Sequence, residues 1–129
     1  MKLKLLILLF LLSSAFSYAQ TGAPKPIFQI GIGMTRIWFS DFRREDSARI
    51  EMSDNSRSNY LINEFTVIVL SDATKSYKVV KNIGAKFNDE VKQMFSTLKS
   101  SDTILISDIT ISDPLGKISD LVIRIFRVI

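Results

Sequence analysis

The chain has 129 residues, with 17 lysines and arginines against 13 aspartates and glutamates, and it contains neither histidine nor cysteine. This length allows one domain of ordinary size. The missing residue types exclude Ser-His-Asp and Cys-His nucleophilic sites, Cys/His zinc sites and disulfides. The sequence therefore excludes many of the common catalytic mechanisms, namely those that depend on histidine or cysteine.

The first nineteen residues have the three parts of a secretory signal peptide. Lys2 and Lys4 precede the apolar run LLILLFLL, and small residues follow up to Ala19. We predict cleavage between Ala19 and Gln20, and a periplasmic or secreted product with no transmembrane segment after cleavage. Lys2 and Lys4 are the only charged residues of this segment, so its removal lowers the net charge from +4 to +2.

The charges that remain are interspersed rather than clustered. The densest basic pair, Arg43-Arg44, is followed at once by Glu45-Asp46. Nucleic-acid binding would require a patch of one sign with interleaved aromatic residues. We therefore expect no nucleic-acid partner.

The first half of the chain predicts an extended lead-in followed by short strands. Residues 20–26 contain Pro24 and Pro26, which favour extended backbone, and residues 27–129 are predicted to form a single domain. Ile27–Phe39 is rich in β-branched and aromatic residues but is interrupted by Gly31 and Gly33, so we predict a strand that bends or bulges. Ala48–Met52 could be a short strand, and the polar residues 53–59 a loop.

The second half predicts a hairpin, a helix and two further strands. Leu61–Leu70 is apolar on both faces, so it should be a central strand, and Ser76–Ile83 should pair with it after a turn. In Asp102–Asp113 the apolar residues change parity, which predicts a bulge near Ser107-Asp108. Leu121–Ile129 predicts a last strand whose odd positions are apolar except at Arg127.

One segment has helical rather than strand periodicity. Asn88 is a good N-cap for a helix over about residues 88–99, and its apolar residues fall at the i, i+3, i+4 and i+7 positions Val91, Met94, Phe95 and Leu98. The fold class predicted from these elements is mainly β (α+β): an antiparallel, β-sandwich-like domain with one amphipathic α-helix.

The catalytic candidates that the composition leaves are carboxylates, hydroxyls, lysines and Tyr60 or Tyr77. Asp102 and Asp108 share parity, so they could face the same way, but an acid pair of the glycosidase kind needs a cleft usually built from a longer chain. We interpret Asp102 and Asp113 as turn residues and Asp108 as the mark of the bulge. We predict no enzyme activity, no catalytic, cofactor-binding or metal-binding residues and no cofactor.

Several segments, taken in order, carry a family resemblance. They are Pro24-Lys-Pro26 with Gly31 downstream, Phe65-Thr-Val, Asn82-Ile-Gly84-Ala-Lys-Phe87, the helix from Asn88 to Leu98-Lys99, Asp102 opening a strand, and the Pro114-Leu-Gly116 turn. In this order they resemble the C-terminal (fourth) domain of the gliding motility-associated protein GldM, called PorM in related bacteria. The resemblance extends over roughly residues 24–129.

The resemblance has two local departures and one architectural departure. Ser101-Asp102 stands where the family commonly has Gly-Asp, and serine takes a left-handed conformation less readily than glycine. The family's Gly-Pro-Asp-Gly corresponds here to Ser112-Asp113-Pro114-Leu115-Gly116. GldM has a transmembrane helix and several preceding periplasmic domains, whereas we expect a signal peptide and one domain here, without the transmission of motion from an inner-membrane motor.

The resemblance implies a non-enzymatic module of the Bacteroidota type IX secretion and gliding machinery. We expect it to bind a protein partner in the cell envelope, or a second copy of itself, through an exposed sheet edge. The predicted edges are Ile27–Phe39, with Trp38, and the last strand, with Arg124 and Arg127. The alternatives are a small secreted ligand-binding or inhibitor domain and, less favoured, a carboxylate hydrolase.

Overall fold

The computed structural model describes residues 23–31 and 36–129, and the predicted signal peptide and its cleavage site lie outside these residues. No helix within the described ranges is long and apolar enough to span a membrane. The elements are β1 (Pro26–Gln29), β2 (Arg36–Ile37), α1 (Phe39–Arg44), β3 (Arg49–Met52), β4 (Leu61–Leu70), β5 (Tyr77–Ile83), α2 (Asp89–Ser96), β6 (Thr103–Ser112), β7 (Ile118–Leu121) and β8 (Arg124–Val128).

The strands form two sheets. The larger sheet has the order β2-β8-β6-β4-β5, and β7 joins the same side of β6 as β8 does. The smaller sheet is the antiparallel pair β1-β3. All pairings are antiparallel except the short one between β2 and β8. The predicted central position of β4 and the hairpin that it forms with β5 are confirmed.

Strand β6 contains the bulge that the parity change predicted. Its four isoleucines on both sides of the bulge are fully buried, and Asp108 has φ = 50°. The register against β4 shifts by one residue at this point, and a compensating shift near Asn63 of β4 restores it. Two opposed bulges thus keep one face of the strand pair apolar along its whole length.

A chain of six phenylalanine rings forms the centre of the core. Its members come from both sheets, both helices and the loop before α2, and successive ring centroids are 5.0 to 6.2 Å apart in the order Phe28, Phe65, Phe87, Phe95, Phe42, Phe126. Most of these pairs are edge-to-face, the arrangement that aromatic quadrupoles prefer. The small sheet and the two helices therefore pack on one face of the large sheet, which confirms the mainly β, sandwich-like class.

Three sequence predictions are corrected. Ile27–Phe39 is not one strand: β1 ends at Gln29, and a short helix, α1, begins at Phe39. The amphipathic helix is present but ends at Ser96, and it is not the only helix. The last strand is shorter than the predicted Leu121–Ile129, because β8 covers Arg124–Val128 and Leu121 ends the separate strand β7. Strand β8 buries the even positions Phe126 and Val128, while Ile125 is exposed.

Ser101 adopts a left-handed backbone conformation, which glycine takes more readily than serine. Its φ is 76°, and its N–H donates to the carbonyl of Val128 at 2.8 Å. It is a turn residue rather than the helix cap, because Thr97 caps α2. A left-handed residue other than glycine carries about 1–2 kcal/mol of strain, which exceeds the entropic cost of glycine, about 0.5–1 kcal/mol.

Ser101→Gly is therefore expected to stabilise the domain by about 0.5–1 kcal/mol. Urea unfolding would measure the gain. Ser100→Gly, at the adjacent exposed position where φ is not positive, is the control and is expected to destabilise slightly. Equal effects of the two substitutions would contradict the strain argument.

Candidate functional site

Several of the residues that carry the family resemblance build the joint between β5 and α2. Asn88 caps the helix, because its side chain accepts from Val91 N–H at 2.9 Å and donates to the carbonyl of Lys81 at 3.0 Å. Gly84 has φ = 78° in the preceding turn, and Phe87 is buried. The role of these residues here is to fix the position of α2 beside β5.

Asn82 organises this joint, and sequence reasoning assigned it no role. It is fully buried, and its side chain donates to the carbonyls of Gly84 and Lys86, both at 3.0 Å, and accepts from Asn88 N–H at 2.8 Å. The signal that could have found it is an asparagine at an inward-facing position of a strand, because a buried side-chain amide requires hydrogen-bond partners.

Asp102 holds together the β4–β5 turn and the segment that follows the C-terminal end of α2. Its side chain is buried, and its two oxygens accept from Asp72 N–H at 3.2 Å and from Lys99 N–H at 2.9 Å. Asp108 is exposed at the bulge, and the two carboxylates therefore differ in environment. Among the described residues no three acidic side chains are grouped as metal ligands would be.

The remaining residues of the resemblance lie in turns and in the first strand. Asp113 Oδ1 accepts hydrogen bonds from the N–H groups of Leu115 and Lys117, both at 2.9 Å. These bonds stabilise the Asp113–Gly116 turn, which contains Pro114 and in which Gly116 has φ = 83°. Gly31 also has positive φ. Pro26 begins β1 opposite Met52, and Pro24 lies just before that strand.

The three predicted interaction residues have different environments. Trp38 is 61% exposed at the start of α1. Arg124 is half-buried, donates to Gln29 Oε1 at 3.1 Å and lies over the ring of Phe126 at 5.5 Å, so its contacts are internal. Arg127 is exposed. No hydrogen bond, ion pair or ring contact within the described residues joins these three side chains to one another.

Strand β8 lies between β6 and β2 in the sheet order, and β2 pairs with it at Arg127 and Val128. The strand at the other end of the large sheet is β5, which pairs only with β4 among the described strands. This edge was not predicted. A hairpin pattern shows that two strands pair with each other, but it does not show which of them has a second neighbour.

The outer face of the large sheet carries a row of apolar side chains. Cross-strand pairing joins Val79 to Ile68, Ile68 to Leu105, and Leu105 to Ile125, so the row crosses four strands. Val79 and Ile125 are each 54% exposed, and Tyr77 of the adjacent row is 69% exposed. We call Val79, Ile68, Leu105 and Ile125 the apolar row. At the usual strand spacing it is about 14 Å long.

A groove lies between β5 and α2. Its wider end is a cavity of about 340 Å³ between the β4–β5 turn and the C-terminal end of α2, and it continues into a second cavity of about 220 Å³ along the helix. Lys78, Met94 and Thr97 line both cavities. We call this continuous space the β5–α2 groove.

Comparison with known proteins gives one family. A search of curated proteins finds no match. A scan of family models matches residues 41–129 to the GldM C-terminal domain, a stretch that begins within α1 and includes β3 to β8, α2 and therefore the whole β5–α2 joint. With more than half of its length matched by that model, and with the mainly β fold seen here, the chain belongs to the GldM C-terminal domain family.

Proposed function

We propose that this protein is a non-enzymatic interaction module of the cell envelope, located in the periplasm or secreted, and that it acts with the type IX secretion or gliding machinery. Membership of the GldM C-terminal domain family supports the link to that machinery. The signal-peptide pattern of residues 1–19 supports the location. The absence of histidine and cysteine from the sequence supports a role without nucleophilic catalysis.

The observation that carries the interaction role is the apolar row. The inner face of the large sheet packs on the core, so the outer face would ordinarily be polar in an antiparallel sheet. Here four strands each contribute a branched aliphatic side chain to the same line. Contiguous exposed apolar surface of this kind is characteristic of protein–protein contacts. We assign it to a protein partner of the secretion or gliding machinery.

The experiment is crosslinking of the tagged protein in its native cell envelope, followed by identification of what is captured. The test variant is Val79→Lys/Ile125→Lys, which places two charges in the apolar row. The control is Leu115→Lys/Val122→Lys, which adds the same charge at two other apolar positions, 95% and 83% exposed. All four positions are exposed, so we expect both variants to fold with thermal midpoints within a few degrees of the parent.

We expect components of the secretion or gliding machinery to be captured by the parent and by the control, and to be lost from the test variant. Capture of the untagged protein alone would replace this proposal with self-assembly. Equal capture by the two variants would show that the apolar row is not the contact surface. Capture of nothing would contradict the interaction role itself.

The second candidate function is binding of a small ligand, and the β5–α2 groove is the observation that favours it. A space of about 340 Å³ falls in the range of small-molecule sites. Native mass spectrometry of the protein purified from its own cells distinguishes the two candidates. A bound small molecule in a monomer would favour this second function.

A further inference from the structure

The exposed edge of β5 can be assigned group by group from its pairing with β4. At the two ends of this pairing, Ser71 N–H donates to Ser76 O at 2.9 Å and Gly84 N–H donates to Asn63 O at 2.7 Å. Hydrogen-bonded and non-hydrogen-bonded pairs alternate in an antiparallel ladder. The constant register therefore directs the backbone groups of Lys78, Val80 and Asn82 towards β4, and those of Tyr77, Val79 and Lys81 away from it.

Most of the backbone N–H and C=O groups of β5 that point away from β4 have no hydrogen-bond partner within the described residues. The carbonyl of Lys81 accepts from Asn88 Nδ2, so the helix cap ends the edge at that point. Within residues 23–31 and 36–129, no backbone hydrogen bond is recorded for the outward groups of Tyr77 and Val79. An unpaired edge of this length can accept the main chain of another extended segment.

The β5–α2 groove lies beside this edge and would hold the side chains of such a segment. Val80 packs against the core and faces the groove together with the helix residues Met94 and Thr97. A strand added to β5 would lie about 4.8 Å from it, with alternate side chains directed into the groove. The apolar Val80 and Met94 would contact an apolar side chain of that strand.

The charged residues that line the groove indicate which side chains the bound segment should have. Lys78 and Lys99 line the wider end of the groove. Neither lysine forms an ion pair in the part of the chain that the structure describes. Asp102 lines the same end, but both of its oxygens accept backbone N–H groups. An acidic side chain of the segment is therefore favoured at this end, near the two lysines, rather than at the narrower end, which Glu90 lines.

The same charges disfavour a second copy of this chain as the occupant. Strand β5 contains Lys78 and Lys81 and no acidic residue. Lys81 forms an ion pair with Glu64 of β4 at 3.0 Å, so Lys78 is the lysine of β5 whose charge is not compensated in this way. Two β5 strands paired edge to edge would bring the Lys78 side chains of both copies into one ribbon, and like charges on neighbouring strands destabilise the pairing. Lysines on edge strands commonly prevent self-association.

We propose that the β5–α2 groove binds an extended acidic segment of a partner protein. The segment pairs its main chain with the outward groups of Tyr77 and Val79, places an apolar side chain over Val80 and Met94, and directs an acidic side chain to Lys78 and Lys99. This inference rests on the proposed function, since it requires a protein partner, but it does not require that the partner use the apolar row.

The test uses the purified protein and a library of labelled seven-residue peptides with acetylated and amidated ends. Valine or isoleucine occupies alternate positions, and glutamate, glutamine or lysine is placed in turn at the others. Fluorescence anisotropy measures the dissociation constants. We expect binding by the glutamate peptides, and binding at least about fivefold weaker when glutamine replaces the critical glutamate.

Protein variants then locate the acidic contact. Lys78→Gln/Lys99→Gln is expected to weaken binding of the best peptide by about tenfold at low salt. Lys86→Gln/Lys117→Gln removes the same charge at two other exposed positions, and it is expected to change binding by less than about twofold. Equal loss in both variants would show general electrostatic attraction and would overturn the assignment of the site.

Peptide N-methylation tests the strand pairing. Methyl groups on the alternate nitrogens that pair with β5 should abolish binding, since each removes a hydrogen bond and obstructs the edge, whereas methylation of the other set should have little effect. Amide exchange of Tyr77 and Val79 should slow at least about tenfold when the peptide binds. Equal sensitivity to both methylation sets, or binding without slowed exchange, would overturn strand addition.

Three further outcomes would also overturn the inference. They are the absence of any library peptide binding at millimolar concentration, a dimer in which Tyr77 and Val79 are already protected without peptide, and a small molecule occupying the groove of the purified protein. In each case crosslinking of the Val79→Lys/Ile125→Lys variant reports separately on the proposed function. Failure of the groove and failure of the interaction role are thus distinguishable.

Discussion

Replacing Phe95 with alanine is expected to lower the free energy of unfolding by about 3–5 kcal/mol. The ring is almost fully buried, and its centroid lies 5.3 Å from that of Phe42 in α1 and 5.2 Å from that of Phe87 before α2. Its removal leaves a cavity where both helices meet, and it breaks the chain of rings at its middle. The loss would be a large fraction of the stability of a domain of this size.

Urea unfolding followed by circular dichroism would measure this loss. Phe95→Leu keeps part of the volume and is expected to lose clearly less than the alanine variant. Gln93→Ala lies on the exposed side of the same helix and should stay within about 0.5 kcal/mol of the parent. A loss of less than about 1 kcal/mol for Phe95→Ala would contradict the central position of this ring in the core.

Asn82→Ala is expected to destabilise the domain by about 2–4 kcal/mol. The substitution leaves the carbonyls of Gly84 and Lys86 and the N–H of Asn88 without the partner that now satisfies them. These groups lie in the turn that positions α2, so the change acts on the helix as well as on the strand. Hydrogen exchange should show increased opening of α2 relative to β4 and β6.

The matched control is Asn59→Ala, at an exposed position in the loop before β4, which should change stability by less than about 0.5 kcal/mol. Asn82→Asp gives a pH-dependent version of the test. The introduced carboxylate would face two carbonyl oxygens, so burial and repulsion should raise its pKa above the unfolded value. This variant should therefore lose stability as the pH rises from 4 to 7, and a pH-independent loss would contradict the network.

The elements that the sequence predicted well are those with one consistent period. The residues Val91, Met94, Phe95 and Leu98 fall on a single helical stripe, and all four are buried. Asn88 caps this helix as predicted. The isoleucines of β6 change parity at Asp108, and only a bulge there returns all of them to one buried face.

The edge at β5 and the groove beside it could not be predicted from the pattern. Tyr77 and Val79 are apolar residues at strand positions, and their spacing is the same whether the outer face is covered or open. Their exposure depends on where the sheet ends, which the pairing order of β8, β6, β4 and β5 determines. The candidate groove lies at this edge, whereas the predicted interaction residues lie at the start of α1 (Trp38) and in β8 (Arg124 and Arg127).

The sequence by itself determined the mainly β class, the central strand β4, the bulge in β6, the amphipathic helix and the family, because each depends on a local period, cap or motif. Only the tertiary structure decided the rest. Helix α1 is a six-residue segment whose Phe42 packs on Phe95 and Phe126, and packing overrides local propensity in so short an element. Both parities of residues 121–129 are largely apolar, so the register with β6 decides that Phe126 is buried and Ile125 faces outwards.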